Sequence, residues 1–129
     1  MAEQKLVLIV DDEPAFREIF SARMIDDGYR VETAENGATA IAKAKEFRPA
    51  LILMDVKMPV MDGPTALLKL REDPEIKDTK VIFLTSLGDA RQEMQGMNRA
   101  ISQDFGAQGY LKKTDDLDSL SEEIKKILA

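Results

Sequence analysis

The chain has 129 residues, with 18 Lys and Arg against 24 Asp and Glu, no cysteine and no histidine, for a net charge of −6. That length suits one well-buried domain and is too short for two. The acidic balance argues against holding nucleic acid through phosphate contacts; without Cys or His there is no disulfide framework, thiolate metal site, Ser-His or Cys-His nucleophile pair, or phosphohistidine carried by the chain itself.

The first apolar run, "LVLIV" (Leu6–Val10), is short, branched and continuous, as strands buried on both faces of a parallel sheet read. It ends on Asp11 and Asp12, which no signal peptide does, and no apolar run approaches a membrane span, so a soluble, cytoplasmic protein is expected. Pro14 opens a helix to about Asp27, with Phe16, Ile19, Phe20 and Met24 as its apolar stripe. "YRVETA" (Tyr29–Ala34) is a short strand, and Asn36 and Gly37 introduce a second helix to about Phe47. "ALILMD" (Ala50–Asp55) is a third strand, followed by a proline-glycine loop and a helix from about Gly63 to Arg71.

"KVIFLT" (Lys80–Thr85) is the fourth strand. Leu87, Ala90, Met94, Met97, Ile101 and Phe105 then trace the stripe of a long fourth helix, whose Met94 and Met97 are expected to pack on the sheet rather than to dock a partner. "AQGYLK" (Ala107–Lys112) is the fifth strand, and Leu117, Leu120, Ile124, Ile127 and Leu128 line a closing helix. Five strand-helix alternations describe a doubly wound α/β sheet. With no linker, repeat or low-complexity tract, residues 1–129 are expected to form one domain without an effector domain.

In open parallel sheets ligands bind beyond the carboxyl ends of the strands. There the chain carries Asp11 and Asp12, then Asp55, then Thr85 and Ser86, then Lys112 and Lys113. Acids in such places also serve as helix caps, and Asp11 and Asp12 precede Pro14. Asp55 instead begins a loop, and four polar strand ends together favour a site. Clustered carboxylates repel one another unless a cation joins them, and oxygen ligands without His or Cys suit a hard cation, Mg²⁺ better than Ca²⁺ at an open mouth. With a hydroxyl and a lysine nearby, that set suits phosphoryl transfer, in which one carboxylate can be the nucleophile.

The stretches "LIVDDEP" (Leu8–Pro14), "MDVKMPVMDG" (Met54–Gly63), "FLTS" (Phe83–Ser86) and "GYLKK" (Gly109–Lys113) resemble, over the whole chain and in order, a receiver domain of two-component response regulators. The resemblance implies a flavodoxin-like sheet of five parallel strands in the order 2-1-3-4-5, with five helices. It implies that Asp55 accepts a phosphoryl group from a sensor histidine kinase or a histidine phosphotransfer protein. Asp12, Asp55 and the carbonyl of Lys57 would hold Mg²⁺ directly, with Asp11 acting through a metal-bound water. Thr85 would bond a phosphate oxygen, Tyr110 would move inward behind it, and Lys113, by its spacing from Tyr110, would be the family's lysine, leaving Lys112 in water. Strand alternation alone does not separate the two lysines.

Such a domain takes on and loses its own phosphoryl group without being an enzyme in the usual sense. Its fourth helix, fifth strand and closing helix would present the changed surface to a downstream protein target or relay partner. The Lys57 side chain, two residues past Asp55, is expected to alter the lifetime of the phosphorylated state. Thr114 stands where the family commonly has proline, and a trans bond before it is expected, since a cis bond to a non-proline residue costs about 3 to 4 kcal/mol. The segment between Thr85 and Tyr110 is longer than usual. A lapsed receiver acting as a constitutive docking module is the alternative. A haloacid-dehalogenase-type phosphatase would want an aspartate at Lys57, and a flavodoxin a Ser/Thr/Gly-rich loop where "DDEP" stands.

Overall fold

Continuous apolar strands feed both faces of a sheet, because successive side chains point to opposite sides. The computed structural model describes residues 4–56, 58–85, 109–113 and 115–129. Five parallel strands, β1 (Leu6–Val10), β2 (Arg30–Ala34), β3 (Leu51–Asp55), β4 (Lys80–Thr85) and β5 (Gly109–Lys112), lie in the order β2-β1-β3-β4-β5. This is the expected order. The described helices are α1 (Pro14–Asp26), α2 (Gly37–Phe47), α3 (Gly63–Glu72) and α4 (Leu117–Leu128). The fourth helix expected from Leu87 to Phe105, with Met94 and Met97, lies outside the described residues. Among the described residues, no helix is long and apolar enough to cross a membrane.

The alternation divides the core. Leu8, Val10, Ile52, Met54, Val81 and Phe83 meet Ala40, Ala44, Ala66, Leu67 and Leu70 of α2 and α3. Val7, Ile9, Leu51, Leu53, Ile82 and Leu84 meet Phe20 and Met24 of α1 and Leu120, Ile124 and Leu128 of α4 on the other side. The expected α1 stripe is corrected at Ile19, which is 57% exposed, whereas Phe20 and Met24 are fully buried. At 100° per residue Ile19 sits a quarter-turn or more from the sector centred between Phe20 and Met24, so its apolar character does not bring it inside.

Polar contacts fix the edges of these layers. Between the carboxyl end of α1 and the opening turns of α4, Arg23 bridges Asp27 (3.2 Å) and Asp118 (2.7 Å), and the buried Ser121 hydroxyl donates to Asp27 Oδ2 at 2.5 Å. Lys5 and Lys80 donate to the last carbonyls of α4, at Leu128 and Ile127, where the helix dipole is negative.

Candidate functional site

β1 and β3 are neighbours from which the chain winds outward in opposite directions, and a crevice is expected at their carboxyl ends. Asp11 follows β1 there; its N–H donates to Ala34 O of β2 at 3.0 Å, and Arg17 Nη1 donates to its carbonyl at 2.6 Å. Its carboxylate is wholly buried. Oδ1 accepts from Glu13 N at 2.9 Å, but Oδ2 has no hydrogen bond and meets Lys113 Nζ as a close ion contact at 2.6 Å. Asp55 ends β3 only 5% exposed.

Two backbone features set the loop beside Asp55. Gly63 opens α3 so close beneath it that a Cβ would stand 2.6 Å from Asp55 O and 3.0 Å from Phe83 Cε1, which only glycine avoids. Gly63 N donates to Val56 O at 2.9 Å, and Asp62 caps the helix by accepting from Thr65 N at 2.8 Å. At the loop's tip Val60, 84% exposed, is held at φ 70°, a conformation unfavourable for a β-branched residue.

Lys113 reaches the crevice from the far edge strand. Leu111 packs with the α1/α4 core and Tyr110 with the α2/α3 core, so the alternation of β5 puts position 113 on the α1 side, together with Asp55. The Lys113 side chain is 8% exposed and its ammonium contacts Asp11 Oδ2, Asp55 Oδ2 (3.0 Å) and Glu13 Oε1 (3.0 Å). Lys112 is exposed. Thr85, at the end of β4, is buried and its hydroxyl donates to Leu111 O at 3.4 Å, towards β5 and not towards Asp55. Tyr110 is half-buried.

The electrostatics arise from burial and crowding. Burial raises the Asp55 pKa to about 6; the neighbouring charges of Asp11 and Asp12 add to the rise, and Lys113 opposes it. Asp11 is raised by burial, again against Lys113. Burial alone would lower Lys113, but its bonds to Asp11, Glu13 and Asp55 outweigh that and hold it charged. One oxygen each from Asp11, Asp12, Glu13 and Asp55 lie within 4.8 Å of one another. A cluster of carboxylate oxygens at this spacing, with no His or Cys among them, fits a hard cation such as Mg²⁺.

Asp11, Asp12, Asp55 and Lys113 therefore come together, with Thr85 and Tyr110 on the adjoining strands. Lys57 and Thr114 lie outside the described residues, and with them the carbonyl ligand and the trans bond expected there. The sequence pattern does not single out Glu13, although it directly succeeds the paired aspartates. Phe16, read as core, also lies against Lys113, its ring centroid 5.0 Å from Nζ.

The family model for the response regulator receiver domain matches residues 7–125. Response regulator Rre1 of Synechocystis sp. is 36% identical over 130 residues, covering 100% of this chain and 54% of that protein. The chain spans about half, or less, of the length of such curated relatives (48%, 54% and 23%). Among solved structures, chemotaxis protein CheY4 of Vibrio cholerae is 32% identical with a TM-score of 0.84, covering 98% of this chain and 100% of that one. The receiver domain of the sensor histidine kinase PA1611 from Pseudomonas aeruginosa PAO1, solved with a magnesium ion coordinated in its active-site cleft, is 26% identical with a TM-score of 0.81, covering 98% of each chain.

Proposed function

The chain belongs to the response regulator receiver domain family, and on that premise we propose that it is a phosphorylation-dependent signalling switch whose phosphoacceptor is Asp55. The donor is a phosphohistidine on a sensor histidine kinase or histidine phosphotransfer protein, in keeping with the chain's own lack of histidine. An Asp55 oxygen forms the new O–P bond as the N–P bond breaks, and the imidazole leaves with the electron pair. With a pKa of about 6, Asp55 is ionised by about ten to one at pH 7, so the nucleophile is ready.

The observation that carries this reading is the Lys113 ammonium lodged 3.0 Å from Asp55 Oδ2, at the edge of the acidic cluster. From there it can follow charge onto a phosphoryl oxygen. Asp12, Asp55 and the Lys57 carbonyl would hold Mg²⁺ directly and Asp11 through water; the ion supplies neutralisation of phosphoryl oxygens. Thr85, now bonded to Leu111 O, would rotate its hydroxyl to a phosphoryl oxygen, releasing that tie to β5 and letting Tyr110 move inward. The face of β5 and α4 would then present the altered surface to a downstream protein, in the cytoplasm. Filled acid, hydroxyl and lysine positions speak against a lapsed docking module.

The test is to incubate the protein with acetyl phosphate and Mg²⁺ and weigh it intact. The reading expects one added phosphoryl group on wild type and none on Asp55→Asn; no addition to wild type, or the same addition to the variant, overturns it.

A further inference from the structure

Lys113 is held by more than carboxylates. Its ammonium stands 5.0 Å from the centroid of the Phe16 ring. Phe16 is half-buried in the first turn of α1 and stacks on Phe20, with ring centroids 5.4 Å apart and planes inclined at 24°. Phe20 is fully buried, so the Phe16 ring rests on a fixed platform.

We propose that Phe16 is a positioning residue, its aromatic face holding the Lys113 ammonium where it can follow charge between Asp55 and a phosphoryl group. The proposal rests on the role of Lys113 in the proposed function. A lysine ends a flexible four-carbon stem, and its ammonium is a compact, strongly hydrated charge. Asp11 and Asp55 engage it from the sheet side, with side chains 0% and 7% exposed. Glu13, with a side chain 61% exposed, engages it from the solvent side. The Phe16 ring adds a wall that attracts the cation through its quadrupole and offers no hydrogen bond to compete with the carboxylates. It also displaces water that would otherwise hydrate the ammonium and screen it from Asp55. Phe16 lies in the first turn of α1, and its neighbour Arg17 donates to the Asp11 carbonyl at 2.6 Å, which ties the head of the helix and the ring to the strand end that carries Asp11.

The experiment compares phosphoryl uptake from acetyl phosphate with saturating Mg²⁺, tracked by intact mass, in wild type, Phe16→Met, Phe16→Tyr and Lys113→Ala. Methionine fills a similar volume without a ring; tyrosine keeps the ring. Phe16→Met is expected to slow uptake about fivefold, and Phe16→Tyr to stay within about twofold of wild type, as loss and retention of a cation-ring attraction at a half-buried site require. In the wild-type proton spectrum the Lys113 ε-methylene signals should be shifted upfield by the ring, and Phe16→Met should remove that shift. Wild-type uptake in Phe16→Met, equal slowing in Phe16→Tyr, or absence of the upfield shift overturns the positioning role while Lys113→Ala remains impaired. Wild-type uptake in Lys113→Ala instead overturns the role of Lys113 itself, and the role of Phe16 falls with it.

Discussion

Lys113 Nζ and Asp55 Oδ2 lie 3.0 Å apart although 58 positions separate them along the chain. That contact depends on the alternation of β5, which directs position 113 and not 112 towards α1 and the end of β3. Removing each lysine separates its consequences. Lys113→Ala should lose most phosphoryl uptake, and Lys112→Ala should keep it, in the intact-mass assay. Lys113→Ala also leaves the buried Asp11 carboxylate without its cation and should cost about 3 kcal/mol in urea unfolding without metal. A variant as stable as wild type would show that Asp11 finds another partner.

The raised pKa of Asp55 makes stability depend on pH. Its folded value of about 6 lies above the ordinary 3.8, so the folded state binds this proton more tightly than the unfolded chain. The resulting stabilisation is complete below about 3.8 and is lost as pH rises through about 6. In EDTA, Asp55→Asn should therefore flatten the stability profile between about pH 4 and 6, and at pH 7 should be more stable than wild type by up to about 3 kcal/mol. The check is urea unfolding at half-unit pH steps.

Val60 holds φ 70° at the tip of the loop beside the site. Val60→Gly removes the steric cost of that conformation, against a smaller loss from the greater freedom of the unfolded glycine chain. A net gain of about 1 kcal/mol is expected in thermal or urea unfolding. Val60→Pro, which cannot reach positive φ, should lose more than Val60→Gly gains.

Asp27 joins α1 to α4 through Arg23 and Ser121. Asp27→Ala leaves the buried Ser121 hydroxyl unpaired and should cost about 2 kcal/mol, whereas Ser121→Ala alone should cost about 1 kcal/mol. The double variant should cost less than the sum, since each single change already removes the shared bond. Additive losses would mean that the two side chains act independently.

The strands and the polar strand ends were legible because buried parallel strands are spelled as unbroken apolar runs, and the residues just past their carboxyl ends are confined to one edge of the sheet, whereas the order 2-1-3-4-5 was legible only through the resemblance to receiver domains. Lys113 was legible only through its spacing from Tyr110. The face it occupies depends on where β5 begins, Gly109, and nothing in "AQGYLK" marks that residue as the start. Ile19 shows the same limit on a helix: counting apolar residues does not fix rotation until a neighbour such as Phe20 is seen to be buried. The strain at Val60 had no signal at all, since valine carries no preference for positive φ. The Asp27–Ser121 bond joins residues 94 positions apart, and only the packing of α1 against α4 brings them into reach.

Those last two helices are fastened twice. Arg23 and Asp27 at the tail of α1 hold Asp118 and Ser121 in the opening turns of α4, and Lys113, one short loop before α4, is gripped by Asp11, Glu13 and Phe16 around the head of α1. Both ends of α1 are thereby moored to the same, amino-terminal end of α4. In the proposed switch, a Lys113 drawn towards a phosphoryl group would slacken its own mooring and leave the other, so that α4 would swing on Asp118 and Ser121.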